Sequence, residues 1–242
     1  MPTSPRVSKV ARSHRAGIRL VIALVLAQLA GVSSTQAETA VSNLGNFHNG
    51  NFGILQEDLI ARGRAQSFTT GSDFVFLDSA TLAMSSIGVS GSGGFQVSLY
   101  GDDGSNLPGS KLLQLTGSDA PTDSAGYTFT APVQFTLAPS TTYWIVAELQ
   151  LNTAPNTSFF WTFTVDQTEN ALPGWSMGNS ANSSSFMGST PSWGPQSVPL
   201  RMSVGVQPVP EPATASIIGI ALVAMFGRPR RGSTRNQLTN LS

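Results

Sequence analysis

Between residues 38 and 208 apolar and polar positions alternate with a period of two, the pattern of strands that bury one face. Phe95, Val97 and Leu99 alternate with Gln96 and Ser98. Phe159, Trp161, Phe163 and Val165 alternate with Ser158, Thr162 and Thr164. Leu200, Met202, Val204 and Val206 alternate with Arg201, Ser203 and Gly205. In 142–149, Tyr143, Ile145, Ala147 and Leu149 mark one face, while Trp144 and Val146 make the other partly apolar too and Glu148 stays polar. Further strands are predicted at 66–70, 80–89, 111–115, 127–130 and 133–137, about nine in all. Turn residues separate them: Gly91, Gly93 and Gly94, the run Asp102 to Gly109, residues 119–126, and Ala138-Pro139-Ser140. Short strands with polar turns and no long helical period predict an all-β, antiparallel β-sandwich, with a jelly-roll-like order preferred. Residues 176–196, rich in Ser, Gly and Asn, read as a long loop.

Two further apolar runs have no strand pattern. Residues 20–30 are apolar apart from Gln28, follow Arg6, Lys9, Arg12, Arg15 and Arg19, and lead into small residues ending Thr35-Gln36-Ala37. This is the order of a secretory signal peptide, 1–37, cut between Ala37 and Glu38 by signal peptidase. An apolar run this short falls below the roughly 20 residues of a spanning helix, which counts against the competing reading, an uncleaved anchor. There is no twin Arg pair, which favours general secretion. Residues 213–226 form the second run, after a Pro-rich break and directly before Arg228, Arg230 and Arg231. Basic residues stay on the cytoplasmic side, so this run is expected to be a single transmembrane helix with the body outside and 232–242 as a polar cytoplasmic tail. A buried core helix competes on length alone.

Charge sharpens this division. Only 11% of residues are charged, against about 25% in an ordinary soluble protein. The formal net charge is zero, yet residues 1–37 and 212–242 carry bases and no acid. Between them Arg62, Arg64, Lys111 and Arg201 face all 13 acids, a net charge of −9. An acidic body disfavours nucleic acid, whose backbone needs a basic surface. The chain has no Cys, which excludes disulfides, thiolate metal sites and lipidated Cys.

The C-terminal residues resemble a known signal. Val209-Pro210-Glu211-Pro212-Ala213-Thr214, the apolar run, and then Arg228, Arg230 and Arg231 are similar to the PEP-CTERM sorting signal of exported bacterial proteins, over residues 209–231. The resemblance implies that Pro210, Glu211 and Pro212 form the sorting motif read by an exosortase and that the arginines stop transfer. It also implies a membrane-held precursor whose mature form is at the cell surface or secreted. The family usually ends near its arginines, whereas here 232–242 follow. The body, over roughly 41–206, resembles the choice-of-anchor R domain: Ala65-Gln66-Ser67-Phe68-Thr69-Thr70-Gly71, Val97-Ser98-Leu99-Tyr100-Gly101-Asp102 with Leu107-Pro108-Gly109, the block from Leu137 to Val146, and Phe160-Trp161. That resemblance implies a β-rich surface domain and no catalytic residues.

Candidate chemistry in the body is sparse. His48 is its one imidazole, in a Gly/Asn loop without a nucleophile elbow, so a Ser-His-Asp triad is not expected and a zinc site lacks ligands. Paired carboxylates of a hydrolase have no recognisable motif; Glu148, among apolar neighbours, is the most notable acid. Calcium prefers oxygen ligands, and Asp102 and Asp103 with Ser105 and Asn106 offer them, although turn chemistry explains the same residues. Trp144 and Trp161 are expected in the core. Trp175 and Trp193 flank the 176–196 stretch and are the candidates for sugar binding, against the simpler reading that they pack that stretch onto the sandwich. The first expectation is therefore a non-enzymatic surface protein with a structural or adhesion role. Its rivals are a carbohydrate-binding module of the extracellular polysaccharide matrix and a polysaccharide-active hydrolase.

Overall fold

The structure is a computed structural model that describes residues 36–57, 60–91, 93–150, 153–186 and 191–210. Among these residues there are thirteen strands and no helix: β1 (Glu38–Ser42), β2 (Gly50–Glu57), β3 (Ile60–Thr69), β4 (Val75–Ser90), β5 (Phe95–Asp102), β6 (Pro108–Gln114), β7 (Gly126–Leu137), β8 (Thr142–Leu149), β9 (Thr157–Phe163), β10 (Asn170–Ala171), β11 (Ser176–Phe186), β12 (Ser192–Gln196) and β13 (Met202–Pro208). Every pairing is antiparallel. The expected signal helix (1–37) and transmembrane helix (213–226) fall almost wholly outside the described residues.

One sheet runs β10-β1-β13-β4-β7. The other is built around β3, which pairs with β11 along one edge, and β11 with β12. Along its other edge β3 meets β2 at residues 60–62 and β8 at 64–69. From β2 the sheet continues through β9 to the end of β4, and from β8 through β5 to β6. Strand β4 therefore serves both sheets: residues 75–83 pair with β7, and Met84, Ser85 and Ser90 with β9. Gly88, at φ +81, sits in the irregular stretch between Ser85 and Ser90; a Cβ there would lie 2.9 Å from the Phe160 ring. A side chain would clash as well as strain the left-handed backbone.

The inward faces of the two sheets share one buried apolar cluster, a sandwich-like arrangement. Leu77, Leu82, Phe129, Met202, Val204 and Val206 of the first sheet meet Phe68, Val97, Leu99, Ile145, Phe159 and Trp161 of the second. The Phe95 ring bridges the layers, 5.8 Å from Phe129 and 5.3 Å edge-on from Phe159. The Trp161 indole donates 2.8 Å to the Arg201 carbonyl, so its polar atom is satisfied inside the core.

The alternating segments fall in strands as expected, except that Val165 lies beyond the end of β9 and is exposed and Leu200 precedes β13; 127–130 and 133–137 are joined into β7, whose register against β4 shifts between Leu77 and Ser79. Residues 176–196 differ from the expected loop. They carry β11 and β12, whose Ser/Asn-rich backbone is held by pairing on both edges of β11 rather than by apolar burial. The body's first and last strands pair, Glu38 opposite Val206 and Ser42 opposite Ser203. Both ends of the body thus leave from one pole, and Asn43 and Pro199–Leu200 turn at the other.

Candidate functional site

Strand β8 is buried on both faces. Tyr143, Ile145, Ala147 and Leu149 point into the core between the sheets. Trp144 and Val146 point away from it, yet both are 0% exposed. They join Ala65 and Ala181 in a second cluster covered by Tyr100, Leu107 and Trp193. The cover is pinned electrostatically. Trp144 Nε1 donates 3.0 Å to Asp102 Oδ2, whose Oδ1 accepts from the Gly104 amide at 2.7 Å. Asp103 Oδ1 accepts from the Ser105 and Leu107 amides. The Asp-rich turn is thereby folded over Trp144.

On the same outward face Glu148 Oε1 accepts from Gln96 Nε2 at 3.0 Å and from the Tyr100 hydroxyl at 3.3 Å. Lys111 Nζ stands 3.8 Å away. Burial pushes the Glu148 carboxyl above its usual range, against the opposing effects of Lys111 and the two hydrogen bonds. The Tyr100 phenol is pushed up by burial and by the charge of Glu148. Beside them Ser98 Oγ is buried without a partner.

The other sequence-predicted residues are placed as follows. His48 is in an exposed loop, Nε2 2.8 Å from Asn51 Oδ1. Trp175 is 8% exposed, its ring stacked on Phe68 at 6.1 Å, an interior position rather than a surface one. Trp193 is half-buried on β12 over the second cluster, so the two tryptophans do not meet. Asp102 and Asp103 spend carboxylate oxygens on turn amides and Trp144; among the described residues no group of three His, Cys, Asp or Glu is set to hold a metal ion. Ala37 directly precedes β1 and Glu38 opens it. Pro210 is the last described residue; Glu211, Pro212, Arg228, Arg230 and Arg231 lie outside the described residues.

A cavity of about 310 Å³, which no sequence pattern marks, lies at the pole away from the body's ends. Its lining comes from segments far apart in the chain: Asn43, Gln167, Glu169, Met177 to Ser180, and Gln196 to Pro199. Four of its eleven lining residues carry carboxamides, and the Gln196 side-chain amide is buried with neither Nε2 nor Oε1 hydrogen-bonded. No family model and no curated protein matches the chain, so its resemblances rest on the residues that carry them.

Proposed function

We propose that this chain is an exported bacterial cell-surface or extracellular-matrix protein with a structural or adhesion role, sorted by an exosortase. The carrying observation is where the body starts and stops. Its first strand opens at Glu38, directly after Ala37, and pairs with a last strand that ends at Pro208, just before Pro210. Residues 35–209 form one compact unit. Both terminal signals can be removed without cutting a described strand. In this reading signal peptidase cuts before Glu38. Residues 213–226 hold the precursor in the inner membrane, Arg228, Arg230 and Arg231 stop transfer, and processing at Pro210-Glu211-Pro212 frees the acidic body. The nested pairing of β1 with β13, β2 with β9 and β3 with β8 supports a jelly-roll-like order.

In the non-enzymatic reading Glu148 is a largely buried strand residue, hydrogen-bonded to Gln96 and Tyr100 and close to Lys111. The topology is tested by fusing a phosphatase active only outside the cytoplasm after residue 209 or after residue 242, in a host without exosortase. Activity is expected from the first fusion and not from the second. Activity from both would remove the C-terminal anchor, and activity from neither would remove export.

A further inference from the structure

The geometry points to the distal cavity as a binding site for a neutral, hydroxyl-rich ligand, one sugar ring of a glycan. This goes beyond the export reading and stands without it.

The cavity walls are held from behind by two buried carboxamides. Asn43 donates through Nδ2 to the Leu200 carbonyl at 3.0 Å and accepts the Met202 amide on Oδ1 at 2.7 Å. Gln66, fully buried, donates to the Gly178 carbonyl at 2.9 Å and accepts the Leu200 amide at 2.8 Å. The Gln66 bonds to the Gly178 and Asn179 carbonyls fix a bulge in β11, where Gly178 and Asn179 face Ser67 and the register against β3 shifts. Ser67 Oγ donates 2.8 Å to the Asn179 carbonyl. Residue 178 has to be Gly, because a Cβ would collide with Ser67 Oγ. Bulges re-aim side chains beside functional sites, and this one leaves Asn179 exposed at the cavity. Buried groups that fix a wall in advance are what a pre-organised site requires.

The lining then selects the ligand. Behind the lining, Gln196 carries a donor and an acceptor that are buried and unpartnered, and a buried polar group left alone calls for a partner. Each carboxamide can both donate and accept, as does each sugar hydroxyl. Glu169 is the one ionisable side chain in the lining, and its Oε2 already accepts the Met177 amide. With no cation in the wall an anionic sugar is disfavoured. One carboxylate is too few for a divalent cation. The volume, about 310 Å³, is at the small end of ligand pockets and suits one ring rather than a long chain.

The test uses the full-length chain in detergent, with cellobiose, maltose and lactose as neutral probes and digalacturonic acid as the anionic one. Saturation-transfer NMR should detect at least one neutral disaccharide, with digalacturonate bound at least about tenfold more weakly. Binding should shift the Gly178, Asn179 and Ser197 amides and leave the Trp193 indole unmoved. Asn179→Ala, at an exposed position, and Gln196→Leu should each weaken binding by about fivefold, the loss of one hydrogen bond. Binding of none of the neutral probes would overturn the proposal. So would binding that survives both substitutions, or shifts centred on Trp193.

Discussion

The two faces of β8 solve the same problem differently. The inward face joins a core assembled from both sheets, where Phe159, Trp161, Phe129 and Phe68 are all fully or almost fully buried. Among the described residues no second sheet covers the outward face. Its Trp144 and Val146 are covered instead by a turn, a tyrosine and Trp193, with Asp102 gripping the indole. The main core is held by area removed from water; the outer cluster is held by a few placed polar contacts around small residues, Ala65 and Ala181. Apolar residues on both faces of a strand therefore signal a second, thinner layer.

The contrast can be broken from either side. Phe159→Ala, deep between the sheets, is expected to destabilise the body by about 3–5 kcal/mol, read by urea unfolding. Trp144→Phe keeps most of the packing and removes the hydrogen bond to Asp102, so about 1–2 kcal/mol is expected. A cost as large as that of Phe159→Ala would mean that the outer cluster is core in its own right. Asp102→Ala should cost about as much as Trp144→Phe, and the double variant less than the sum of the two, since both remove one contact. Additive costs would separate the turn from the indole.

The smallest effect is expected at Glu148. Its carboxyl titrates above its ordinary value of 4.5 because it is buried, so the folded state holds its proton more tightly than the unfolded chain. The resulting stabilisation is complete below pH 4.5 and is lost as pH rises through the raised value. Glu148→Gln should therefore be slightly more stable than the parent at neutral pH, with the difference shrinking towards pH 4. A variant less stable at pH 7 would show that the Lys111 contact outweighs burial.

The fold was legible wherever one face of a strand met the main core. Alternation in 202–206 reports burial directly, as β13; in 95–99 and 142–149 it marks β5 and β8, whose inward residues are all buried. Strands β2, β11 and β12 escaped because their pattern is diluted by Gly, Ser and Asn, and β1 and β10 because five and two residues are too short to show a period. Backbone pairing on the edges of β11 needs no apolar side chain, so Ser180 to Ser185 pair fully without a hydrophobic signal. Among site residues, the apolar neighbours of Glu148 marked it, and the burial of Trp144 and Trp161 followed from their strands. Trp175 was not placed, because its stacking partner Phe68 lies over a hundred positions away. The distal cavity joins four segments and the backing Gln66 through tertiary contacts alone, and its local trace is a Gly-Asn pair inside a polar run.

The central claim is that the working protein is the acidic body, released from basic ends that only route it. Intact-mass spectrometry of the protein isolated from its native envelope tests this most directly. The account predicts a mature chain that begins at Glu38 and lacks residues 213–242. A mature species that still carries residues 213–242 would contradict it.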